Sequence, residues 1–166
     1  MKKVILSYRV RRYRDYQSAI LAVNDVLVKL KEIPKNLNLI TDGNPIYLLA
    51  QQWFSQHDIN FDVTQVVGLT NDDEVSTEYR PLKQIIERLN RTFKGNYKPT
   101  TGYGADTGAI SSVTLFTAYF NFLRPHSALD GKIPAVIPEL QALPHMPAKL
   151  CKLIAMSEDY IKAHAA

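Results

Sequence analysis

One cysteine, Cys151, stands alone in the chain, which excludes an intrachain disulfide and any zinc site built from several thiolates. Long apolar runs are missing too. Nothing approaches the roughly 18 residues that a membrane-spanning helix requires, and the opening MKKVILSYRVRR turns basic after three consecutive aliphatics, which is not the pattern of a secretory leader. A reducing, cytoplasmic setting without a membrane partner is the expectation. Internal repeats and low-complexity segments are absent. Neither sign of charge dominates, since twenty Lys and Arg stand against sixteen Asp and Glu for a net charge of +4. At 166 residues the chain is long enough for one domain with a real core.

What the chain has is cationic charge placed unevenly. Lys2, Lys3, Arg9, Arg11, Arg12 and Arg14 crowd its start, and Arg88, Arg91, Lys94 and Lys98 follow one another further on. Tyr8, Tyr13, Tyr79 and Tyr97 are interleaved with them. Such clusters suit a polyanion such as DNA, whose phosphates supply most non-specific affinity. A solvated basic face fits the same pattern.

The stretch RPLKQIIERLNRTFKGNYK, from Arg80 to Lys98, carries the clearest periodicity. Leu82, Ile85, Ile86, Leu89 and Phe93 recur at helical spacing and predict one buried stripe, with Pro81 in the first turn and Gly95 as a stop. Beside it Lys83, Glu87, Asn90, Arg91 and Lys94 share a second face. By spacing alone that row reads as solvated, with Glu87 and Arg91 as a surface pair.

Upstream, VILSYRV at 4–10 predicts a strand, and Asp15 predicts the N-cap of a helix over 16–32, stopped by Pro34. NLIT at 38–41 predicts a buried strand that delivers Asp42 at its carboxyl end, before the turn formers Gly43, Asn44 and Pro45. A helix opened by Pro45 and ending near His57, a strand over 61–69 and a polar turn over 71–77 come next. Downstream, a loop over 98–108 leads to a helix over 109–123 stopped by Arg124 and Pro125, an irregular stretch over 127–138, and a last helix over 147–164. Strands alternating with helices predict an α/β domain in three layers, whose sites collect at the carboxyl ends of the strands.

Asp42 alone reads as an Asx turn capping the next helix. Paired with Glu87 across an intervening helix and strand, it offers two hard oxygen ligands suited to Mg²⁺ or Mn²⁺ and to phosphodiester displacement. Three motifs follow in order: Thr41-Asp42-Gly43-Asn44; Glu87 with Asn90, Arg91 and Lys94; and Asn121 with Arg124, Pro125, His126, Ser127 and Leu129, then Lys132 and Pro134. Together they closely resemble the DDE-type transposases and integrases of bacterial insertion sequences, over residues 42–134 and, with the preceding strand and helix, most of the chain.

The resemblance implies a ribonuclease-H-like catalytic core over 1–140 with a helical tail over 141–166, holding two Mg²⁺ or Mn²⁺ ions and joining DNA ends to a target. Carried over by motif, Asp42 is the second carboxylate and Glu87 the third. Arg88, Asn90, Arg91 and Lys94 meet DNA. Glu78 is the alternative third acid by its interval from Asp42, but it lacks the following Asn, Arg and Lys. His126 reads as structural. Family members act as dimers or larger assemblies, so a homo-oligomer or an association with full-length transposase is implied. The family's first carboxylate has no counterpart, because Asp15, Asp25 and Glu32 fall on or beside a helix. The first two strands are also missing by this resemblance. The expectation is a chain truncated at its amino end and without efficient strand transfer by itself. A non-catalytic DNA-binding or regulatory remnant is the alternative.

Overall fold

A computed structural model of the chain describes residues 3–30, 32–67, 73–97 and 102–165. Asp15 opens the first helix, α1 (Tyr16–Lys29), where its carboxylate accepts the Ser18 hydroxyl and the Ser18 N–H, the latter at 2.7 Å. These two bonds hold the Asp15 carboxyl below its usual range. They also satisfy a donor that a first helical turn leaves without an internal partner.

Two short strands follow, β1 (Asn38–Thr41) and β2 (Asp62–Gln65), paired in parallel with Asn38 opposite Asp62 and Thr41 opposite Gln65. The Asp62 N–H to the Leu37 carbonyl and the Val66 N–H to the Thr41 carbonyl extend the pairing. Parallel strands need a crossover. Here it contains α2 (Ile46–Ser55), which packs against α1. Leu27 of α1, Phe54 of α2 and Phe61 form the core, wrapped by Ile20, Val23, Leu37, Leu39 and Val63. Phe54 is 1% exposed and meets the Phe61 ring edge-on.

The long helix α3 (Glu74–Tyr97) starts earlier than its periodicity predicts. Asp73 accepts the Ser76 N–H at 2.6 Å and the Ser76 hydroxyl at 2.9 Å, a cap that turns most of the expected polar turn into helix. Pro81 and Gly95 therefore lie inside α3. The helix packs beside β1. Leu82, Ile85, Leu89 and Phe93 are half-buried, whereas Ile86 is exposed and Ser76 is the buried residue of the helix. Parts of the sequence expectations fall on Lys2, Lys31 and residues 68–69, 71–72 and 98–101, which lie outside the described residues.

The expected strand at 4–10 is not present, since these residues join no ladder. Their polar groups are drawn elsewhere. The Ile5 N–H donates to the Asn121 side-chain oxygen at 2.8 Å, and the Asn121 amide donates back to the Ile5 carbonyl at 2.9 Å. Further on, Lys29 donates to the Leu6 carbonyl, and Ser7 and Arg9 reach Asp25. The fold is thus α/β and mostly helical, with a two-stranded parallel sheet among the described residues.

The chain divides into two compact units, Leu6–Asp106 and Thr107–Ala166 with Met1–Ile5. In the second unit, α4 (Asp106–Ala118) runs on into a π-helical turn, Tyr119–Leu123, that buries Phe120, Asn121 and Leu123. Asp130 and Gly131 take left-handed backbone, with φ of 53° and 75°, and let the chain fold back into a bridge between His126 and Lys132. A short helix, α5 (Pro138–Gln141), buries Leu140, and α6 (Met146–His164) packs on α5 and on the π-helical turn. No helix among the described residues is long and apolar enough to cross a membrane.

Phe54→Ala should lower the unfolding free energy by about 3–5 kcal/mol, read by chemical denaturation. A loss below about 1 kcal/mol would contradict its place at the centre of the core.

Candidate functional site

Asp42 follows the last residue of β1, at the carboxyl end of the parallel pair. The turn behind it is held from several sides. The Asn44 N–H donates to Asp42 Oδ1 at 3.2 Å, the Asx geometry that Asp-Gly sequences favour, and Asn44 Oδ1 accepts the Ile46 N–H at 3.1 Å. Gln65, at the end of β2, donates to the Asp42 carbonyl at 3.4 Å and to the Asn44 carbonyl at 3.1 Å. A Cβ at Gly43 would stand 3.0 Å from a Val67 methyl, so glycine permits that approach.

The close cation on this carboxylate comes from the chain itself. Arg14 Nη2 lies 3.2 Å from Asp42 Oδ1 and 3.0 Å from Oδ2, and it also donates to the Tyr47 hydroxyl at 3.2 Å. The guanidinium stands over the Tyr47 ring, 5.6 Å from its centroid. Partial burial pushes the Asp42 carboxyl up, but the Arg14 bond, the Asn44 N–H and the charges of Arg14 and Lys83 outweigh it and hold the group below its usual range. Arg14 is raised in turn, chiefly by its bond to Asp42 and then by its bond to Tyr47.

Helix α3 runs past both ends of the strands. The Tyr79 hydroxyl is raised from its usual range, chiefly by its neighbour Glu78, and lies near enough to Asn38 and Asp62, at the amino ends of β1 and β2, to feel both. Four residues on, Lys83 Nζ donates to the Val66 carbonyl at 3.0 Å, at the carboxyl ends, and its charge acts on Asp42. Glu87 lies one helical turn beyond Lys83, and Glu78 is the neighbour of Tyr79. Glu87, Arg88, Asn90, Arg91 and Lys94 are all exposed. Glu87 and Arg91 do not form the ion pair that their spacing offers, and the close partners of Asp42 are Arg14 and Asn44 rather than Glu87.

Among the described residues, no group of three or more His, Cys, Asp or Glu is disposed to hold a metal ion. Asp42 offers a hard cation one carboxylate, and Arg14 already engages both of its oxygens.

Three arginines of the basic start are paired with acids. Arg9 pairs with Asp25 at 2.6 Å, Arg12 with Asp106 at 3.1 Å and Arg14 with Asp42 at 3.0 Å. Which acid each arginine meets is a long-range fact with no local signature in RRYR, so Arg14, Tyr47 and Gln65 are site neighbours that spacing does not announce. His126 sits at 3.2 Å from the Phe120 carbonyl through Nε2 and edge-on to the Phe120 ring, inside the turn that ends in Lys132.

Compared with protein-family models, curated proteins and solved structures, the chain gives no match.

A carboxylate held below its ordinary value adds stability that is full above the unfolded value, about pH 4, and is lost as pH falls through the folded one. Thermal melts between pH 2 and 6 should therefore show a steeper acid loss for the native chain than for Asp42→Asn. Parallel curves would mean that the Arg14 pair contributes nothing to folding.

Proposed function

We propose that the chain is a DNA-acting domain of the DDE transposase and integrase type, built on a ribonuclease-H-like core. The observation that supports this best is Lys83 of α3, which reaches the Val66 carbonyl at the carboxyl ends of the strands and whose charge acts on Asp42, one helical turn before Glu87. Asp42 and Glu87 would hold Mg²⁺ or Mn²⁺. When bound, such an ion polarises a phosphate and activates the attacking oxygen. Arg88, Asn90, Arg91 and Lys94, exposed on the same helix, offer the donors that phosphates take, with Arg91 able to grip two oxygens at once. Two of the family's three carboxylates are matched, so efficient strand transfer is not expected of this chain alone.

One observation favours a second reading, a DNA-binding or regulatory role without catalysis: Asp42 is engaged by Arg14. Metal-dependent nicking of duplex DNA separates the two. Any nicking by the native chain should disappear in Glu87→Gln, and nicking that survives the substitution removes Glu87 from the chemistry. Both readings require phosphate contact by α3. Arg91→Ala should weaken DNA binding across sequences and lower the slope of log K against log salt by about one unit. An unchanged slope would contradict that contact.

A further inference from the structure

We propose that Arg14 is a built-in counter-cation that a divalent ion must displace from Asp42, so that guanidinium and metal exclude each other on this carboxylate; the inference rests on reading Asp42 as a metal ligand. The geometry is that of a chelated cation. A single nitrogen, Nη2, lies 3.0 and 3.2 Å from the two carboxylate oxygens, the region between them that a bidentate ion would also take. A small divalent ion binds at about 2.0–2.1 Å from an oxygen. An ion there would be crowded against Nη2 and repelled by its charge. Oδ1 also accepts the Asn44 N–H at 3.2 Å, which leaves few open directions on that oxygen.

The exchange is accessible. The Arg14 and Asp42 side chains are 55% and 48% exposed, so ions reach the pair from solvent. Tyr47 gives the displaced guanidinium a place to stay, through its hydroxyl at 3.2 Å and its ring face. Release from Asp42 thus asks for a short shift of one side chain rather than the undoing of residues 6–14. A phosphate that takes Arg14 would free the same carboxylate, which links polyanion and metal binding in one direction: each favours the other.

The probe is Mn²⁺ alone, titrated into the full chain at fixed ionic strength and followed by electron paramagnetic resonance. Arg14→Gln should bind Mn²⁺ about two- to fivefold more tightly than the native chain, the factor that releasing an exposed ion pair allows. Adding Asp42→Asn should remove the gain, and Arg12→Gln, which breaks a neighbouring pair, should leave the affinity at its native value. An Arg14→Gln affinity equal to the native one, or a gain that survives Asp42→Asn, overturns the proposal. A measurement without substitution guards against misfolding: on titrating the native chain with Mg²⁺, the Arg14 side-chain N–H resonance should move with the same midpoint as the Asp42 carboxyl carbon. A carboxyl that responds while Arg14 stays still would refute the exclusion. If the Arg14→Gln gain appears but Glu87→Gln leaves Mn²⁺ affinity untouched in both backgrounds, the exclusion stands and the sharing of an ion between Asp42 and Glu87 falls.

Discussion

The register of two four-residue strands governs this molecule. With Thr41 opposite Gln65, the Asp42 turn lies within reach of the Gln65 amide, and the carboxyl ends of both strands fall together where Lys83 arrives from α3. A slip of one residue would move Gln65 to the other face and leave the turn without its clamp. So short a parallel pair has little stability of its own. It is held by the apolar cluster of Leu27, Phe54 and Phe61, and the core and the candidate site are therefore one cooperative arrangement.

Charge does at the start of the chain what a ladder of backbone bonds does elsewhere. Arg9, Arg12 and Arg14 each find a different acid, and these pairs fasten an extended segment that lacks a strand partner. Exposed pairs of this kind contribute about 0.2–1 kcal/mol each and weaken as salt rises. The attachment is consequently shallow and responsive to ions, unlike the aromatic core beneath it. Three arginines of the basic run are thus turned inward toward aspartates.

Legibility in the sequence followed the range of the forces involved. Asp15 as a cap, NLIT as a strand, Pro45 before α2 and the last helix all rest on contacts within a few residues, and local chemistry predicted them closely. The strand expected at 4–10 failed because β propensity describes a surface fit, and no neighbouring strand among the described residues meets it. The start of α3 was misread because Pro81 looked like a first-turn residue, while Asp73 already capped the chain upstream. At the candidate site Asp42 was legible from its position after a strand, and its engagement by Arg14 was not, since an ion pair between residues 14 and 42 leaves no periodic trace.

Asn121 treats Ile5 as a strand would, giving one acceptor and one donor to its main chain and asking nothing of its side chain. Position 5 can therefore drift among residue types without disturbing this clasp, with proline the exception because it has no N–H to give. Position 121 has no such latitude. Aspartate brings no donor, leucine brings neither group, and glutamine overreaches by a methylene in a site that is only 5% exposed. The two halves of a single contact are thus held to unequal standards, one by the peptide backbone and the other by the identity of one amide.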